Sequence, residues 1–145
     1  MRLDMDCVRD ILVCVEDNTS LRTRCVFVDD VYDTRLKAKG LRSVEMQDYQ
    51  KELLTLYDHD KLMYHVRYCI EAGLISEFDD SNPHVRYIAD LTVKGHELLA
   101  NIRNDSNWVK IKNIGGKVGF FGLNNVFEIG KEIFILGLKQ HLGLP

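Results

Sequence analysis

His65 and Cys69 stand four residues apart in "YHVRYC", the spacing at which one helical face can offer two side chains to a single metal ion. A closed zinc site takes more ligands than these two, and no second His or Cys pair at ligand spacing accompanies them. A lone imidazole beside an apolar face is expected instead to be a hydrogen-bonded core residue, so neither a metal nor any other cofactor is expected. His96 and Glu97 begin the two-histidine pattern of zinc peptidases, but Ala100 stands where the second histidine belongs. "NIGGKVGFFG", Asn113 to Gly122, has the glycines of a phosphate loop without the Lys-Ser/Thr ending that reaches phosphate and Mg²⁺. No Ser or Cys lies in a nucleophile elbow. Cys7, Cys14, Cys25 and Cys69 fall at irregular spacings with no C-x-x-C pair, which predicts reduced, buried thiols and not a disulfide framework. The expectation is a protein that is not an enzyme.

Binding is the remaining chemistry. With a net charge of -3, the chain as a whole does not attract a polyanion, so any nucleic-acid contact must come from local clusters. The sharpest candidate is the outward face of a helix near Asp60 to Glu71. There Lys61 and Arg67 can reach phosphates or a guanine edge, and Tyr64 and Tyr68 can stack or meet thymine methyls. Asp60 and Glu71 share that face, and Glu45 to Ala72 holds three basic against six acidic residues, an unfavourable approach to phosphate. A DNA reading therefore leans on Arg86, and on Arg35, Lys37, Lys39 and Arg42 in "TRLKAKGLRS", as positioning contacts. The alternative partner is a protein, with the two tyrosines as anchors.

The elements that position these residues follow from periodicity. Val8, Ile11, Leu12 and Val15 recur at helical spacing, with Asp4 placed to cap the start. "CVFV", Cys25 to Val28, reads as a strand, and the polar, basic stretch Asp29 to Ser43 as a loop. Tyr49, Leu53, Leu56 and Tyr57 share one face of a helix between Asp48 and Tyr57. The next helix begins near Asp60, turns Leu62, Val66, Cys69 and Ile70 inward, and ends at Gly73. "LISEF" and "HVRYIADL", joined by "DDSNP", read as a β-hairpin with a polar tip. Thr92 then caps a helix whose first turn holds Gly95, where a missing side chain permits close approach of another backbone.

That order is the order of a winged helix-turn-helix, an α+β, mainly α fold, with an additional C-terminal helical segment. A winged-helix domain over residues 1–105 is expected, with a helical extension over 106–145 that packs on the same domain or forms a dimer contact. The 46% hydrophobic, 28% charged composition suits a soluble globular domain. The charged start "MRLDMDCVRD" is unlike a signal peptide and no window reaches membrane-span length, so a cytoplasmic protein without a membrane partner is expected.

The blocks "YHVRYCIEAGLI" and "LTVKGHELLANIRND", with Trp108 beyond them and the opening "MRLDMD", resemble a family of small winged-helix proteins of unknown function from phages, prophages and bacterial genomes. The resemblance implies the fold and a phage or mobile-element setting, and it carries no activity. His65 and His96 both fall in the resembling blocks. They are expected to be structural, facing each other across the recognition helix and the helix after the wing.

From Asn124 on, Val126, Phe127, Ile133, Phe134 and Leu138 gather on one side of a helix, and Ile129, Ile135 and Leu136 widen the apolar arc beyond one contact surface. A homodimer through residues 120–142 is expected.

Overall fold

Asp4 starts the first helix as its spacing predicts: its carboxylate accepts the Asp6 and Cys7 amides at 3.0 and 3.3 Å, and α1 runs Met5–Asp17. The computed structural model describes residues 1–41, 44–79, 82, 84–117 and 122–145. After α1 come β1 (Cys25–Val28), α2 (Asp30–Ala38), α3 (Asp48–Leu54), α4 (His59–Glu71), β2 (Ile75–Asp79), β3 (Val85–Leu91), α5 (Val93–Ile102), α6 (Asp105–Lys117) and α7 (Leu123–Leu142). The fold is α+β and mainly helical, and the described strands form a three-stranded antiparallel sheet in the order β1-β3-β2. The chain divides into two compact units, Met1–Gly95 and His96–Pro145.

In the first unit, α1 packs on α4 and β3. Val8, Ile11, Leu12 and Val15 of α1, Phe27 and Val28 of β1, Leu62 and Val66 of α4, and Ile88 of β3 are all buried. On the helices this is the inward set that three- and four-residue spacing marks, and on β1 the adjacent Phe27 and Val28 are both covered. β1 pairs with β3 in the register Cys25 to Ile88, Phe27 to Arg86, and β2 closes the hairpin with two register shifts near Glu77. The other side of β1 is finished by α3: the buried Gln50 amide accepts from Val28 N at 2.8 Å and donates to Val28 O at 2.7 Å, and Val26 N donates to the Tyr49 hydroxyl at 2.6 Å. Two side chains thus take the place of a further strand and satisfy an edge that would otherwise stand open.

The structure corrects the reading at several points. Asp29 to Ser43 is not a loop throughout, because it contains α2, capped by the Asp29 carboxylate on Tyr32 N at 3.2 Å and closed at Gly40, whose φ of 69° suits only a residue without Cβ. α3 stops at Leu54, so Leu56 is exposed and leaves the face it shares by spacing with Leu53, which is buried. α4 starts at His59 because the cap is Asp58, whose carboxylate accepts from Lys61 N at 2.8 Å. The hairpin is present, with Asp80, Ser81 and Pro83 of its tip outside the described residues.

Gly95 sits where two backbones meet. A Cβ there would lie 2.0 Å from the Leu74 carbonyl oxygen, and the same junction is tied by Thr92 N donating to Leu74 O at 3.0 Å and Thr92 Oγ1 to Gly73 O at 2.5 Å.

In the second unit α6 packs along α7. Trp108, Ile111 and Val126 are buried, and Gly130 lets the helices come close: a Cβ there would lie 3.2 Å from Asn101 Cβ and 3.5 Å from Ile111 Cδ1. The apolar residues of α7 divide along its length. Val126 is buried and Phe127 and Ile133 are half-buried, whereas Phe134 and Leu138 are exposed. Phe120 lies outside the described residues. No described helix is long and apolar enough to cross a membrane.

Candidate functional site

α4 turns Leu62, Val66 and Cys69 inward and leaves Lys61, Tyr64 and Tyr68 half-buried and Arg67 and Glu71 exposed, the division its helical spacing predicts. His65 is on the buried side. Its Nε2 accepts the Asp4 amide at 2.8 Å, so the proton sits on Nδ1, which donates to Lys61 O at 2.7 Å. The imidazole therefore clasps α4 to the start of α1. The structural role expected of His65 is there, with Asp4 and Lys61 as its hydrogen-bond partners, and His96 is exposed on α5. Both ring nitrogens of His65 are thus taken up by hydrogen bonds to the backbone. Among the described residues no group of three or more His, Cys, Asp and Glu side chains is placed to hold a metal ion.

The cations of the candidate surface are held unequally. Lys61 Nζ pairs with Asp4 at 2.5 Å and lies near the Tyr57 ring. Burial works against the charged Asp4 carboxylate, but Lys61 and the Cys7 and Asp6 amides outweigh it and hold the carboxyl below its ordinary range. Arg86 grips both oxygens of Glu77 across the hairpin, at 3.3 and 3.1 Å, with both side chains mostly covered. Both bonds come from Nη1, and the pair ties β2 to β3 and neutralises the residue expected to position a phosphate. Arg67 keeps more freedom: its Nε is 3.8 Å from Glu71 and its guanidinium 5.4 Å from the Tyr64 ring, and exposed pairs of this kind are weak.

Arg35, Lys37 and Lys39 are exposed on α2 and at its end. Helical geometry puts Arg35 and Lys39, four apart, on one side and Lys37 on another, so the basic run does not form one patch. Arg42 lies outside the described residues. The N-terminal end of α4 is acidic: Asp58 caps it, and His59 lies 3.4 Å from Asp29 and 3.1 Å from Asp60. The unit Met1–Gly95 carries thirteen basic and eighteen acidic residues, the unit His96–Pro145 six and four.

The thiols are buried, as expected. Burial pushes Cys7 up to about 12 and raises Cys69, and a hydrogen bond with Cys25 together with burial raises Cys14. Since the thiolate is the reactive species, the folded protein is expected to leave all four cysteines unmodified by a colorimetric disulfide reagent at neutral pH, and to release all four in guanidinium. Rapid native modification of any one of them would refute that burial.

The fold and this surface define an α+β, mainly helical protein built around a three-stranded antiparallel sheet. The chain belongs to the family described as Hypothetical protein (DUF2513), whose model matches residues 2–120, a span that takes in α1 to α6. No curated protein and no solved structure matches the chain.

Proposed function

We propose that Met1–Gly95 is a winged helix-turn-helix that binds duplex DNA as a regulator, working in the cytoplasm in the phage or prophage setting implied by the resembling sequence blocks. The observation that supports this reading is the succession α1, β1, α2, α3, α4, β2, β3 with β3 central in the sheet; in this reading α3–α4 is the helix pair, β2–β3 the wing, and α2 an insertion ahead of the pair. α4 then enters the major groove, with Arg67 for a guanine edge and Tyr64 and Tyr68 for thymine methyls, while Arg35, Lys37 and Lys39 meet phosphates. Lys61 and Arg86 contribute less than their types suggest, since Asp4 and Glu77 hold them.

Those two pairs, and the excess of acid in the same unit, favour a second reading in which the α4 face binds a protein, with Tyr64 and Tyr68 as anchors. Salt-dependent mobility shift separates the two. DNA binding is expected to strengthen as salt falls toward ~50 mM, with a slope set by about three or four phosphate contacts. Arg67→Ala should weaken a preferred sequence more than random duplex, whereas Lys37→Ala with Lys39→Ala should weaken both alike. Absence of binding to any duplex at ~50 mM salt rejects the DNA reading.

A further inference from the structure

We propose that the C-terminal half of α7 pairs antiparallel with α7 of a second copy, centred between Ile135 and Leu136. Beyond Gly130 the helix has no buried residue, and Phe134, Ile135, Leu138 and Leu142 are 46%, 40%, 47% and 59% exposed. At 3.6 residues per turn these four gather in an arc roughly 100° wide, which also takes in the half-buried Phe127 and the exposed Lys131 and is bordered on one edge by the buried Gly130. A stripe of that width is what one helix presents to another.

The charges name the occupant. Glu132 and Lys139, both exposed, are seven residues apart and so lie on the same flank of the stripe. In an antiparallel pair like flanks meet. The alignment that sets Ile135 against Leu136 of the second copy also sets Glu132 against Lys139, and the two-fold axis makes that pair twice. A parallel pair would carry these flanks to opposite sides and leave them unmatched. A lipid surface suits the helix less well, because its polar flank sets Glu128 and Glu132 beside Lys139 where membrane-lying helices collect basic residues.

Sedimentation equilibrium of the full chain at tens of micromolar, without DNA, tests the pairing independently of the DNA reading. A dimer is expected. Phe134→Glu with Leu138→Glu, both on exposed positions, should give a monomer with unchanged circular dichroism. Glu132→Lys should weaken the dimer about tenfold by turning two rim attractions into repulsions, and adding Lys139→Glu should restore it. A monomeric parent chain overturns the proposal, as does a charge reversal that leaves association unchanged or a double reversal that fails to rescue it. A monomer that instead sediments with phosphatidylcholine vesicles overturns it in favour of a lipid surface.

Discussion

Gly95→Ala is expected to destabilise the first unit by about 3 kcal/mol or more, although Ala is the better helix former. Propensity alone would favour the change by up to ~1 kcal/mol inside a helix. The Leu74 carbonyl decides otherwise. The new methyl would lie 2.0 Å from Leu74 O and 3.0 Å from Leu74 C, both backbone atoms, so no side chain can swing away to make room. The carbonyl is itself held by Thr92 N, and Thr92 Oγ1 binds Gly73 O while accepting from Gly95 N at 3.0 Å. Relief requires the start of α5 to part from the end of α4, and several of these bonds are lost together. A urea titration followed by circular dichroism measures the effect. A midpoint equal to or above that of the parent chain would mean that the junction is looser than its geometry implies.

The same glycine shows what the sequence made legible. A glycine in a helical first turn, after a Thr at the cap, already asks for a close neighbour, and the neighbour proves to be Leu74. α1, α4 and the hairpin are readable for a related reason: each buries one face, and burial writes its period into the chain. α2 buries no such stripe, so periodicity is silent there. Its signals are at its ends, Asp29 at the cap, Arg35 and Lys37 in the last turn, and Gly40 beyond. Gln50 leaves no pattern at all, because a single amide standing in for a strand has no repeat to detect.

On the candidate surface the exposed face of α4 could be read from the wheel. The state of its charges could not. Asp4 meets Lys61 only once α1 lies on α4, and Glu77 meets Arg86 only in a register that includes two shifts. Residue types name what a side chain can bind, whereas the fold decides whether a carboxylate has reached it first.

The Asp4–α4 junction makes the second large prediction. His65→Ala should destabilise the first unit by about 3 kcal/mol, the sum of a cavity in a fully buried position and an orphaned amide. Asp4 gathers three tasks: its amide donates to His65 Nε2, its carboxylate caps the Asp6 and Cys7 amides, and the same carboxylate pairs with Lys61. Removing the imidazole withdraws the acceptor from the first and leaves Lys61 O short of a donor. His65→Phe separates the contributions, because it fills the volume while still orphaning the Asp4 amide. It should recover the cavity part and leave a loss of about 1 kcal/mol. Thermal melting of the three proteins gives the order parent, Phe, Ala. Elemental analysis of the same samples guards against the other role for this residue: stoichiometric zinc in the parent chain that vanishes in His65→Ala would make the imidazole a ligand, and a loss of stability without any change in metal makes it the clasp between α1 and α4.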